Sequence, residues 1–252
     1  MEKIPRYVPK INRAFDTLNF NRIKQGLNSA SKITVITGAG CSTESGIPDY
    51  RSPGVGLYAR KGKDHKPILG YEIANSASKR QRYWARNFVG YPTFAATEPS
   101  TVHKWLANWE HGKLDTLKPS KLKHLITQNV DGLHVKAGHK NITELHGCTH
   151  RTNCLDCGSQ VDRMSLQQDF EDLNPEFLVG GIYEMAPDAD AVIENSLIDK
   201  FTMVDCISCG SDRLKPDVVF FGDNVPRSTV DLCYNMVDES DCLLVLGSTE
   251  RM

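Results

Sequence analysis

Four short apolar runs constrain the fold of this chain more than any other feature of its sequence. They are Ile33–Thr37, Leu122–Thr127, 218–221 and Cys242–Leu246. Each run stops at a glycine or a polar residue, which is typical of strands in a parallel sheet covered on both faces. Helices are predicted between them, at 80–90, at 101–110 and from an N-cap at Ser228. The alternation predicts an α/β fold with a Rossmann-like, doubly wound parallel sheet.

The length of the chain predicts one large domain with a small inserted one. A chain of 252 residues is longer than one average domain and shorter than two. We expect 31–150 and 212–252 to form the main domain, 151–211 the insertion and 1–30 an N-terminal extension. Six basic residues against two acidic ones in the first thirty are compatible with a mitochondrial presequence, and equally with a solvated first helix.

Charge and hydropathy argue against two classes of partner. The chain has 30 Lys and Arg against 31 Asp and Glu, whereas binding to a phosphate backbone needs an excess of basic residues. It has no apolar run of about 18 residues, so a transmembrane helix is not expected. The sequence therefore predicts an enzyme whose partners include neither nucleic acid nor membrane.

Four of the eight cysteines stand in two Cys-x-x-Cys pairs. The pairs are Cys154 with Cys157 and Cys206 with Cys209. The N-terminus lacks the apolar stretch of a secretory signal, which disfavours disulfides. Four thiolates with no open position would form a closed, tetrahedral site for one structural zinc ion, and the inserted segment would then be a small zinc-binding domain. A disulfide or a redox pair is the alternative interpretation.

Polar residues follow each predicted strand, so we expect them to collect at one edge of the sheet. Ligands of open α/β sheets bind at this edge. Gly38, Ala39 and Gly40 follow the first strand, and a helix beginning at Ser42 would direct its N–H groups at a phosphate. An ordinary tight turn would carry the same glycines.

The next segments add side chains that are suited to ligand recognition. Arg51 could bind a phosphate or a carboxylate, or pair with Asp49 at the surface. Asn129 and Asp131 offer the donor and the acceptor that a carboxamide such as nicotinamide needs. His146 is a candidate general base, or a satisfied structural histidine.

Taken in order along the chain, these motifs resemble those of the sirtuin family. The motifs are Gly38-Ala39-Gly40-x-Ser42-x-x-Ser45-Gly46-Ile47-Pro48-Asp49-Tyr50-Arg51, Thr127-Gln128-Asn129-Val130-Asp131, Leu145-His146-Gly147, the two cysteine pairs and Lys215-Pro216-Asp217-Val218-Val219-Phe220-Phe221-Gly222-Asp223. The resemblance runs from about 32 to 249. The segment 81–90 is similar to the class II mitochondrial branch.

The resemblance implies an NAD-dependent protein-lysine deacylase of the mitochondrial matrix, or a protein ADP-ribosyltransferase that uses the same NAD site. It implies that NAD is held by Gly38, Ala39, Gly40, Ser42, Gly46, Ile47, Pro48, Asp49, Tyr50, Arg51, Gln128, Asn129, Val130, Asp131, Gly247, Ser248 and Thr249. His146 would be the general base, with Asn129 beside it as a catalytic residue. The substrate backbone would pair as an added strand with Val218, Val219, Phe220 and Phe221.

Two further expectations concern the acyl group and the end of the chain. Tyr83 and Arg86 have a spacing similar to the pair with which desuccinylating sirtuins bind acidic acyl groups, although a packed tyrosine and a solvated arginine would look the same. The family's domain continues beyond Thr249 with contacts to the adenosine half of NAD. We therefore expect a chain that ends at Met252 to bind NAD more weakly and to be less stable than a longer one. A chain that binds no NAD would be a non-catalytic, zinc-bearing interaction protein.

Overall fold

The computed structural model of the chain describes residues 16–61, 67–114, 120–177 and 186–248. Its strands are β1 (Ile33–Thr37), β2 (Leu122–Thr127), β3 (Ile142–Glu144), β4 (Gly147–Cys154), β5 (Gln160–Asp162), β6 (Leu214–Val218) and β7 (Cys242–Leu246). Its α-helices are α1 (Thr17–Ser29), α2 (Leu57–Lys61), α3 (Gly70–Asn75), α4 (Ala77–Ala95), α5 (Thr101–Glu110), α6 (Leu133–Lys136), α7 (Arg163–Leu173), α8 (Asn195–Ile198) and α9 (Arg227–Asp238). Two 3-10 helices cover Ala39–Ser42 and Pro175–Phe177.

The larger sheet is parallel and has the strand order β3-β2-β1-β7. Its register places Thr37 at the end of β1 opposite Thr127 of β2 and Leu246 of β7. Three strands of the predicted parallel sheet are confirmed with the expected bounds. Because their carboxyl ends are level, the loops that follow them meet at one edge of the sheet.

The fourth predicted strand, 218–221, does not belong to this sheet, and that prediction is wrong. The chain forms β6 instead, which pairs antiparallel with β4 in a second sheet of order β5-β4-β6. Cys154, a member of the first cysteine pair, pairs with Leu214, which follows the second pair. The chain leaves the strand after Val218 and turns at Gly222, where φ is +84°.

The predicted helices exist, but two of their starting points differ. Helix α4 is longer than the predicted 80–90 because Ser76 caps it, its side chain accepting a hydrogen bond from the N–H of Lys79. Helix α5 has the predicted bounds. Helix α9 begins at Arg227 after Pro226, so Ser228 lies inside the helix and does not cap it. Proline in the N-cap position needs no partner for an N–H, which is why the helix starts there.

Helix α4 carries side chains for two of the hydrophobic clusters. Trp84 and Phe88 pack into the cluster beside the antiparallel sheet, and Trp84 Nε1 donates to the carbonyl of Leu214 over 2.9 Å. One to two turns later, Tyr91 and Phe94 pack with Ile47 and Leu133. One helix therefore connects the cysteine-bearing sheet with the loops at the edge of the parallel sheet.

Within the four described ranges, no helix combines the length and the apolarity that crossing a bilayer requires.

Candidate active site

A cavity of about 780 Å³ lies where the loops after β1, β2 and β7 meet. Most of the residues proposed from the sequence line it: Ala39, Gly40, Ser42, Ile47, Asp49, Tyr50, Arg51, Tyr83, Arg86, Gln128, Asn129, Val130, Asp131, His146, Val218, Val219, Phe220, Phe221, Gly247 and Ser248. Gly38, Gly46 and Pro48 support these loops without lining the cavity. Thr249 lies outside the described residues.

The loops after β1 and β7 are in backbone contact. The N–H of Gly38 donates to the carbonyl of Leu246, and the N–H of Gly40 donates to that of Gly247, both over 2.9 Å. A Cβ on Gly40 would come within 2.8 Å of the Gly247 Cα, so a side chain there would force the two loops apart. Gly40 and Gly247 are therefore both needed for the two loops to come this close.

The helix predicted to begin at Ser42 is absent, and the chain forms a 3-10 helix over Ala39–Ser42 instead. A tight turn follows, in which the N–H groups of Ser45 and Ile47 both donate to the carbonyl of Ser42. Gly46 has φ of +97°, a left-handed conformation that ends the turn and prevents an α-helix from continuing.

Three side chains after β1 and β2 form one buried hydrogen-bond network. Asn129 Nδ2 donates to the carbonyl of Gly38 over 3.1 Å and lies 3.2 Å from Ser42 Oγ. Ser42 Oγ donates to Asp131 Oδ2 over 2.6 Å, and Asp131 Oδ1 accepts from the N–H of Leu133. Burial raises the pKa of Asp131, and the hydrogen bond from Ser42 opposes that rise. The network gives the loops a fixed polar wall.

Asp49 is engaged with its own turn. Its carboxylate accepts from the N–H groups of Arg51 and Ser52 over 3.0 and 2.7 Å, and from the Ser52 hydroxyl. It is buried, with 8 % of its surface exposed, whereas Arg51 is exposed and lines the cavity. Asp49 therefore shapes the loop that presents Arg51.

His146 has a defined orientation at the cavity wall. Its Nδ1 lies 3.0 Å from the carbonyl oxygen of Gln128, and a carbonyl can only accept, so Nδ1 carries the hydrogen. In the neutral ring, Nε2 is then the basic nitrogen. The residue lines the cavity, so an imidazole with one nitrogen fixed and the other basic is available to a bound ligand.

The segment after β6 forms a second wall. The N–H of Val219 donates to the carbonyl of His146, and the carbonyl of Phe221 accepts from the N–H of Gly70. The Phe220 ring packs edge-on against Tyr83, with ring centroids 5.5 Å apart. Phe221 is also joined to Leu69 by a parallel β-bridge, so this segment forms an extended wall of the cavity.

Arg86 reaches the cavity as half of an ion pair. Its Nη2 lies 2.5 Å from Asp190 Oδ2, and its Nε donates to the carbonyl of Ala191. Asp188, two residues earlier on the same loop, also lines the cavity. Nothing in the spacing of the two aspartates along the sequence indicates that this loop folds back onto α4.

The two cysteine pairs form one cluster away from this cavity. The four Sγ atoms lie within 4.8 Å of one another, and Cys154 to Cys209 and Cys157 to Cys206 are both 3.7 Å apart. A tetrahedral zinc ion with Zn–S bonds of about 2.3 Å would separate its sulfurs by about 3.8 Å. The Ser159 hydroxyl lowers the pKa of Cys206 to about 6, which favours the thiolate that zinc needs. All eight cysteines are free of disulfides, so the donor set fits one structural zinc ion.

Comparison with protein families gives a match that covers most of the chain. The profile of the Sir2 family matches residues 38–252. Mitochondrial NAD-dependent protein lipoamidase sirtuin-4 of Bos taurus and of Homo sapiens are each 47% identical over 234 residues, which is 93% of this chain and 71% of each relative. The NAD-dependent protein deacylase Sirt4 of Drosophila melanogaster is 44% identical over 248 residues, covering 98% of this chain and 74% of the relative.

Solved structures share the fold. A solved structure from work on the mechanism and regulation of Sir2 enzymes superposes with a TM-score of 0.61 at 26% identity. The match covers 90% of this chain and 74% of the other. A mutant Sir2 homologue in complex with ADP-ribose superposes with a TM-score of 0.64 at 24% identity, covering 94% and 76%. The second similarity concerns the fold alone.

Proposed function

This chain belongs to the Sir2 family, the sirtuins, and on that premise we propose that it removes acyl groups from protein lysines with NAD as the co-substrate. The observation that carries the proposal is the orientation of His146. Its Nδ1–H is fixed on the carbonyl of Gln128, which leaves Nε2 basic at the wall of the cavity. A deacylase of this family needs such a base, and an imidazole held in this orientation can accept a proton at Nε2.

The loops after β1 and β7 fit NAD. The close approach of Gly40 to Gly247 leaves a cradle that a Cβ would fill, and backbone can approach a pyrophosphate closely only at such a place. We assign the Gly38–Ser42 turn and Arg51 to the phosphates and ribose, and Asn129 and Asp131 to the nicotinamide. NAD bound there would supply the ribose that accepts the acyl group, and NAD, acyl-lysine and one water would give nicotinamide, O-acyl-ADP-ribose and free lysine.

The residues of the chain then have separate tasks. The extended segment 218–221, which lines the cavity, pairs with the substrate backbone as an added strand and directs the acyl-lysine into the cavity. His146 Nε2 accepts the proton of a ribose hydroxyl, and the Gln128 carbonyl stabilises the imidazolium that forms. Asn129 donates to the Gly38 carbonyl and to Ser42 Oγ, and so it fixes the position of its loop relative to His146.

Three further assignments are part of the proposal. Residues 31–150 and 212–252 form the NAD-binding domain and 151–211 the zinc-binding domain; all four strands of the parallel sheet lie in the first set, and β4 and β6 of the antiparallel sheet connect the two. Tyr83 and Arg86 contact the acyl end of the substrate, which is supported by their place in the cavity wall. The protein works in mitochondria, as the names of the sirtuin-4 relatives indicate, and we assign it to the matrix.

The test is turnover of acyl-lysine peptides that carry acetyl, succinyl or lipoyl groups, with and without NAD. We expect NAD-dependent loss of the acyl group with release of nicotinamide and O-acyl-ADP-ribose. His146→Ala should lower turnover by about 10²–10⁴-fold while the thermal melt stays unchanged. Transfer of ADP-ribose to protein without loss of acyl groups would favour the ADP-ribosyltransferase, and unchanged turnover in the variant would refute the role of His146.

A further inference from the structure

His150 lies on β4, behind the wall of the cavity that residues 128–131 form. Its Nε2 is 3.0 Å from the carbonyl oxygen of Asp131, and its Nδ1 is 2.9 Å from the Tyr91 hydroxyl. A carbonyl only accepts, so Nε2 carries the hydrogen; in the neutral ring Nδ1 then accepts from the Tyr91 O–H. One imidazole therefore links helix α4 to the backbone of the loop that carries Asp131.

The ring of His150 is also held by packing. It lies edge-on to Tyr91 with centroids 5.7 Å apart, and 6.0 Å from the ring of Phe94. On the loop side, Gly132 has φ of +67°, and a Cβ there would come within 2.7 Å of His150 Cδ2. The ring therefore lies directly against the Gly132 backbone and leaves no room for a side chain there.

Tyr91, the partner of His150, is itself fixed from the other side. It has 1% of its surface exposed, and the Arg163 guanidinium lies 4.2 Å above its ring. Arg163 is fully buried and donates to Asn87 Oδ1 and Gln167 Oε1, each over 2.9 Å. A cation over the ring makes the phenol a better hydrogen-bond donor, which strengthens its bond to His150.

We propose that His150 is a positioning residue for the deacylation reaction: through the Asp131 carbonyl it holds the 128–132 loop, and thereby Asn129 and Asp131, in the orientation that binds NAD. This rests on the proposed function, since the loop matters only if NAD binds there. The carboxylate of Asp131 is held from the cavity side by Ser42, and its carbonyl is held from behind by His150. Loss of the second anchor leaves the peptide free to tilt, and misplacement of about 1 Å at a site can cost about 10²-fold in rate.

The experiment compares His150→Ala, His150→Gln, Tyr91→Phe and the Tyr91→Phe/His150→Gln double variant. We expect His150→Ala to raise the KM for NAD about tenfold with little change in the KM for the acyl-peptide. His150→Gln should restore most of the loss, because its Nε2 can donate to the Asp131 carbonyl as the histidine does. Tyr91→Phe alone should weaken NAD binding. In the His150→Gln chain it should have no further effect, because that chain has no acceptor at the position of Nδ1 for the Tyr91 hydroxyl.

A matched control is His111→Ala. His111 also lies against a carbonyl, that of Gly138 over 2.9 Å, but it is exposed and does not line the cavity. We expect its kinetics to equal those of the native chain. A His150→Gln variant no better than His150→Ala, or a Tyr91→Phe cost that is equal in both backgrounds, would overturn the proposal.

A spectroscopic measurement separates this proposal from the proposed function. In ¹⁵N spectra of the native protein, His150 should be the neutral tautomer with hydrogen on Nε2, and Tyr91→Phe should shift its Nδ1 resonance. A hydrogen on Nδ1 would refute the proposal even in an active enzyme. Absence of NAD-dependent turnover in the native chain, with the expected tautomer present, would refute the proposed function instead.

Discussion

Arg86 shows how one neighbouring residue changes what a spacing motif means. The sequence places Tyr83 and Arg86 on one face of a helix, and both do line the cavity. The spacing contains nothing about Asp190, which lies about a hundred residues later and pairs with the guanidinium over 2.5 Å. A cation that already has a carboxylate partner gains less from binding a second carboxylate, because it is partly neutralised.

Replacing the partner should therefore expose the selectivity that the motif implies. We expect Asp190→Asn to raise kcat/KM for succinyl-lysine relative to acetyl-lysine by about tenfold, since a charge-assisted hydrogen bond to Arg86 becomes available. The measurement is a competition between the two peptides. Adding Arg86→Met in the same chain should abolish the gain, and a ratio that does not respond to Asp190→Asn would show that Arg86 does not contact the acyl end.

Three buried histidines should make the protein sensitive to acid. The rings of His103, His134 and His139 contact one another edge-on, with centroids 4.4 and 5.1 Å apart. Burial, followed by the neighbouring imidazoles, lowers the pKa of His103 to about 4 and that of His134 to about 2. The unfolded chain binds their protons below about pH 6.5 while the folded chain does not, so stability is complete above that pH and is lost as the pH falls.

By pH 5 the loss in the free energy of unfolding should be about 2 kcal/mol each for His103 and His134. Urea unfolding at pH 7.5 and at pH 5 measures it. The variant His103→Asn keeps an acceptor for the Ser100 N–H, which now donates to His103 Nδ1 over 3.1 Å. We expect a smaller difference between the two pH values in this variant, and an unchanged difference would contradict the role of His103.

At the scale of elements, the hydrophobic pattern of the sequence predicted those helices and strands whose bounds depend on burial of nearby residues. The β-branched run Ile33–Thr37 and the amphipathic run of α5 have the predicted bounds, because burial on the sheet and on one helix face decides them. The run 218–221 is as apolar as a central strand, yet its place depends on pairing with β4. Partners that are distant in sequence leave no trace in periodicity.

The antiparallel sheet should depend on its metal. We expect about one zinc ion per chain, and Cys157→Ser should lower the melting temperature by several degrees, since a structural zinc site contributes directly to folding. Amide exchange should accelerate in β4 and β6 and stay unchanged in β1 and β2. Cys233→Ser, in α9 and outside the cluster, is the control. Protein purified without chelators that contains no zinc would contradict this prediction.

At the scale of the whole molecule, the cavity depends on the contact between loops at opposite ends of the chain. We expect Gly40→Ala to lower NAD affinity at least tenfold, because its Cβ would lie 2.9 Å from the Gly247 carbonyl oxygen and separate the two loops. Calorimetric titration measures the affinity. Gly26→Ala on exposed helix α1 meets nothing within 4 Å and should bind NAD normally. Equal affinities for the two variants would show that the approach is dispensable.

The position of β1 between β2 and β7 has a consequence for the order in which the protein forms. Cys41 and Leu246, which meet across the loops, are 205 residues apart. At about 5–20 residues per second, a ribosome needs on the order of ten to forty seconds to make the intervening chain. During that time one edge of β1 has no partner, and it is open to chaperones or to pairing errors. The step that docks β7 is a long-range closure and therefore slow. Since the same step completes the nucleotide cradle, the nascent protein acquires its stability and its ligand site together.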